Sequence, residues 1–131
     1  MRFLYLRDPL FLVAFALYWC NRVLIKPMTD FEFVHFYFND FLCIAFFVPI
    51  VVSIAKWCRL RPHDRPPEIH EIVLPLFVWS VMFEILLPQH PFWGQWIIGD
   101  PYDVMWYTAG AMAASCWWRY YYRERTISVA R

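Results

Sequence analysis

Four long apolar segments divide this chain, and the charges between them are shared unevenly. The segments cover residues 9–25, 39–58, 69–88 and 102–121. Each is near the roughly 20 residues that an α-helix needs to cross a hydrocarbon core. The basic residues before span one (Arg2, Arg7), between spans two and three (Lys56, Arg59, Arg61, Arg65) and at the C-terminal end (Arg119, Arg123, Arg125, Arg131) make ten, against Arg22 and Lys26 alone in the first loop and none in the third. A ten-to-two split places both termini and the middle loop in the cytoplasm. Four crossings also return the chain to the side it started from, so parity and charge agree.

Composition fits a bilayer. Hydrophobic residues make up 61% of the chain and aromatic residues 22%, well above soluble averages. Trp57, Trp117, Trp118, Tyr120, Tyr121 and Tyr122 are expected at the inner interface, and Trp19, Tyr37, Trp93, Trp96, Tyr102 and Trp106 at the outer one. The expected fold class is therefore an all-α integral membrane four-helix bundle, residues 1–131 forming one transmembrane domain. No A-x-A-like cleavage site follows the first apolar stretch, so span one reads as a retained helix. A net charge of +1 favours no nucleic-acid partner.

Local signals refine the spans. Pro66-Pro67-Glu68 opens span three, with Glu68 and Glu71 at the positive end of its helix. Pro49 and Pro75 lie inside spans. Gly110 and Ala114 form a small-xxx-small step that allows close helix approach within the bundle. The basic, proline-rich stretch from Arg59 to Pro67 reads as the topology determinant, a second possibility being contact with anionic headgroups. His63, Asp64, His70 and Glu71 read as a solvated loop rather than metal ligands. Cys20, Cys43, Cys58 and Cys116 show no CxxC and no ligand spacing, which makes them packing residues. No cofactor is expected.

The acidic and amide residues crowd the other side. Asn21 and Arg22 end span one, Asn39 and Asp40 open span two, and Asp103 opens span four. Glu84 lies four residues before Pro88, about 6 Å below the outer end of span three. Helical spacing puts Glu84 on a face with Ser80, Phe77 and Val73, and puts Asp103, Tyr107, Gly110 and Ala114 on one stripe of span four. Gln89 follows in the third loop. Two readings of Glu84, Asp103, Asp40, Asn39, Tyr107, Arg22 and Gln89 stand side by side. In one, Arg22 or Lys26 neutralises Glu84 or Asp103 and the rest complete hydrogen bonds. In the other, clustered carboxylates bind a cation, relay a proton or act on a lipid-linked headgroup. No complete nucleophile–base set is visible, which weighs against an enzyme.

The pieces Glu84, Gln89, Asp103, Tyr107 and Gly110 resemble the C-terminal half of the VanZ-like family of small bacterial membrane proteins. That pattern has a helix ending in an acidic residue, a nearby glutamine, a short outer loop and a helix beginning D-x-x-x-[NY]-x-x-G. The segments Asn39-Asp40-Phe41-Leu42-Cys43 and Asp100-Pro101-Tyr102-Asp103-Val104 also resemble short bacterial membrane proteins. The resemblance implies a multi-pass protein of the bacterial inner membrane, tied to the cell envelope and to glycopeptide resistance. The expected function is an envelope-associated protein whose outward polar cluster engages a headgroup, glycan-lipid or cation. The alternatives are a small ion or organic-acid transport component, or a non-catalytic accessory subunit. Expected partners are membrane lipids and a homo-oligomer or larger membrane complex.

Overall fold

The computed structural model describes residues 2–129, with side chains as far as Arg123. Its regular structure is helical, with no strand among the described residues. Asp8 starts α1 (Pro9–Cys20): its Oδ1 accepts the Phe11 N–H at 3.1 Å, and Pro9 supplies a preset first helical residue. The helix then widens into a π-helical turn, Asn21–Ile25, and tightens into a 3₁₀ turn, Lys26–Met28. After α2 (Glu32–Phe36) comes α3 (Phe38–Trp57). The next helix, α4 (Ile69–Val81), also widens into a π-helical turn, Met82–Leu86, and ends in the short α5 (Leu87–Gln89). The last helix is α6 (Pro101–Val129).

Three stretches are long and apolar enough to cross a membrane: Pro9–Met28, Phe38–Trp57 and Ile69–Gln89. They match the first three expected spans to within a few residues. α6 is long enough but less apolar, being interrupted by Tyr and Trp and closed by charged residues.

The centre of the molecule is α3, which packs against α1, α4 and α6. Leu42, Cys43, Ile44, Ala45, Phe46 and Val48 are buried on it. From α6, Tyr107, Gly110, Ala111, Ala114 and Trp118 face inward at helical spacing. Gly110 meets α3 backbone directly: a Cβ built there lies 1.9 Å from the Phe41 carbonyl oxygen. The small-residue step is thus filled by the chain's own helix. Pro49 and Pro75 are buried inside continuous helices.

The end bearing the termini is closed by two buried polar networks. α3 stops in a Schellman turn. Leu60 N–H donates to the Ala55 carbonyl at 2.9 Å, and Arg59 takes the left-handed position at φ 61° that glycine usually fills. That turn sends Arg61 inward, where it is only 3% exposed. A buried guanidinium is costly unless its donors are used. Nε and Nη2 donate to the two Glu71 carboxylate oxygens at 2.6 and 2.9 Å. Nη1 donates to the Tyr5 hydroxyl at 2.9 Å, and Nη2 also to the Arg65 carbonyl at 2.7 Å. Tyr5 in turn donates to Asp64 at 2.6 Å, and Lys56 pairs with Asp64 at 2.9 Å.

In the second network Asp8, fully buried, accepts from Trp118 Nε1 at 3.1 Å and from the Tyr122 hydroxyl at 2.6 Å. Phe3 packs beside both rings. These contacts correct two expectations. The residues read as a solvated loop are partly tied down: Asp64 holds Tyr5 and Lys56, and Glu71 holds the buried Arg61, which links the N-terminal segment to α4. Trp118 and Tyr122 are core residues rather than interfacial ones, because Asp8 gives their polar atoms a partner inside. Arg125 and Arg131 lie outside the described side chains.

Gly110→Ala should destabilise the protein by about 1–3 kcal/mol, since backbone rather than a flexible side chain must yield; thermal unfolding in detergent measures it. The Tyr5 hydroxyl bond, with Lys56 beside it, holds the Asp64 carboxyl below its ordinary value of 3.8. The stability this contributes is present above that value and is lost as pH falls through the lowered one. Asp64→Asn should therefore lower the melting temperature at pH 7 and flatten its fall across roughly pH 5 to 2.

Candidate functional site

At the opposite end of the helices the expected polar residues divide into two groups. Glu84 belongs to a latch. Its Oε2 accepts the Asp100 N–H at 2.6 Å and its Oε1 accepts the Tyr107 hydroxyl at 3.2 Å. Asp100 Oδ1 then accepts the Tyr102 N–H at 3.0 Å, capping the start of α6. The loop between α5 and α6 crosses Glu84 so closely that a Cβ at Gly99 falls 2.6 Å from the Glu84 carbonyl oxygen. Glu84 thus ties α4, α6 and their connecting loop together. Neither Arg22 nor Lys26 lies within ion-pairing distance of a carboxylate among the described residues, so the expected neutralisation of Glu84 or Asp103 does not occur.

The second group lines a cavity of about 250 Å³. Arg22, Lys26 and Tyr18 come from the first helix and its π-helical turn. Asn39, Asp40 and Cys43 come from α3, and Tyr107 from α6. Phe36, Trp79 and Phe83 complete the wall, Trp79 stacked on Phe83 at 4.5 Å. Asn21 is fully buried behind it: its Nδ2 donates to Asn39 Oδ1 at 2.9 Å and to the Val34 carbonyl at 3.1 Å. That pair fixes the end of α1 against α3. Asp103 adjoins Asp40, their carboxyls within hydrogen-bonding reach of each other.

Polar atoms around this cavity are left without partners. Arg22 reaches only the Tyr18 hydroxyl, at 3.5 Å, although a guanidinium carries five donors. Lys26 forms no ion pair among the described residues. The Trp79 indole N–H is buried and has no acceptor. Arg22 is exposed and Lys26 half-buried, so these two cations stand on the cavity free to meet an acceptor-rich group, while the Trp79 N–H is sealed away from it.

Of the seven sequence candidates, Arg22, Asn39, Asp40 and Tyr107 line the cavity, and Glu84 and Asp103 stand next to it. Gln89 is exposed at the end of α5, with no side-chain hydrogen bond among the described residues. Lys26 reaches the cavity from the first loop, while Tyr18, Trp79 and Phe83 lie within spans and carry no charge to draw attention to them. Phe77 and Val73, expected on the face of Glu84, are instead 65% and 50% exposed. The π-helical turn at Met82–Leu86 breaks the 3.6-residue phase between them. π-helical turns often accompany functional sites, and here both carry residues of this region.

No protein-family model, curated protein or solved structure matches the chain.

If Glu84 is the latch, Glu84→Ala should cost about 1–3 kcal/mol by stranding the Asp100 and Tyr107 donors, and Tyr107→Phe about 1 kcal/mol. Denaturation of the purified variants separates the two; equal stability of Glu84→Ala and wild type would exclude the latch.

Proposed function

We propose that this is an envelope-associated, VanZ-like protein of the bacterial inner membrane, whose far-end cavity receives the polar headgroup of a lipid-like molecule. The reading takes α6 as a fourth crossing and both termini as cytoplasmic, so the cavity opens at the outer face. The distribution of Lys and Arg supports that orientation. The observation that carries the function is a small cavity that bears two cations, Arg22 and Lys26, with no carboxylate ion pair among the described residues, set between helices long and apolar enough to cross a membrane. At about 250 Å³ it is below the roughly 300–1,000 Å³ of drug-sized sites, a fit for a headgroup rather than a whole lipid.

The adjoining carboxyls of Asp40 and Asp103 favour a second reading, a proton- or cation-coupled transport component.

A melting-temperature titration of the detergent-purified protein with glycerol 3-phosphate tests the first reading. Binding to the folded state raises the melting temperature as the ligand exceeds its Kd. The shift should be present in wild type and absent in the Arg22→Gln, Lys26→Gln double variant. A shift with neither protein rules out the headgroup reading, and a proton flux in proteoliposomes lost in Asp40→Asn would favour the second.

A further inference from the structure

We infer that the cavity selects an aminoalkyl phosphate, the chemistry of a phosphoethanolamine headgroup, holding its phosphate on Arg22 and Lys26 and its ammonium on Asp40. The inference rests on the headgroup reading above and names the class of ligand.

The lining charges are of both signs. Arg22 and Lys26 come from the same stretch of chain, the π-helical turn and the residue after it, and neither has a carboxylate partner among the described residues. Guanidinium and ammonium together are an effective phosphate grip, the first a fork and the second a point charge. The Tyr18 hydroxyl, which accepts from Arg22, adds a neutral donor on the same cavity. A phosphate or phosphoester group supplies acceptors to all three.

A cavity built for an anion alone has no use for a carboxylate in its wall, since like charges repel. Asp40 is there on α3, beside the Asp103 carboxyl and on the same cavity as both cations, with no ion pair to either among the described residues. A ligand that carries a positive charge beside its phosphate resolves this. A primary ammonium donates three hydrogen bonds, which suits a carboxylate. The aromatic walls Phe36 and Phe83 accommodate the intervening methylenes, and aromatic faces attract cations. A quaternary amine has no N–H to give Asp40, and a glycerol headgroup has no positive charge.

The test uses the full-length protein in neutral detergent, titrated with dihexanoyl lipids bearing ethanolamine, glycerol or choline headgroups, with melting temperature as the readout. In wild type the ethanolamine lipid should act at about tenfold lower concentration than the other two. Asp40→Asn should bring the ethanolamine lipid to the level of the glycerol one, while inorganic phosphate binds at least as tightly as in wild type because a like charge is gone. The Arg22→Gln, Lys26→Gln double variant should lose both. Soluble O-phosphoethanolamine forms a second arm. If it acts as strongly as the lipid, the chemistry stands and the ligand is a free aminophosphate; if it is much weaker, the ligand is the lipid. Equal response of wild type to all three lipids overturns the selectivity while leaving the headgroup reading intact, and needs no variant to fold. No response to any phosphate compound overturns both.

Discussion

The contact of Gly110 with the Phe41 carbonyl fixes how close α6 comes to α3, and nearly everything at the far end depends on that distance. Asn39 and Asp40 precede Phe41 on one helix; Asp103 and Tyr107 precede Gly110 on the other. A side chain at position 110 would part the helices just below these four residues. Tyr107 would then leave Glu84, and Asp40 would leave Asp103. The absence of a single methyl group thus sets the spacing of polar residues that lie within about two helical turns of it.

The two ends of the molecule solve the problem of polar groups near a membrane in opposite ways. At the termini end Arg61 and Asp8 are as buried as any leucine, and each is surrounded by partners. Such networks hold a structure in one arrangement because every member is satisfied. At the far end Arg22 and Lys26 stand on a cavity with no ion pair among the described residues.

Much of this was legible in the sequence. Hydrophobic length located α1, α3 and α4 within a few residues, because the bilayer rule depends on length and composition alone. Charge and amide residues near span ends pointed to Arg22, Asn39, Asp40 and Tyr107. The roles within the cluster were not legible. Glu84 drew attention as a charge in a span, yet it is held by a backbone N–H and a tyrosine from parts of the chain 16 and 23 residues away. Asp8 passed unnoticed because its partners, Trp118 and Tyr122, are more than 100 residues distant. Arg61 looked like any loop arginine, since only the left-handed turn at Arg59 directs it inward.

The two π-helical turns carry a further consequence. A π-helical turn holds one residue more than an α-helical turn, so everything beyond it is rotated by about 100° relative to an unbroken helix. The segments of the first and third spans beyond these turns, toward the far end, are therefore out of phase with the segments before them. Each of these helices is two surfaces joined end to end: a lower one whose apolar pattern is set by packing, and an upper one free to follow a different logic. Loss of one residue from either turn would erase that separation, making the helix more regular and pointing its upper residues elsewhere. The irregularity is what lets a membrane-crossing helix hold its place in the core and still turn a charged residue toward a cavity.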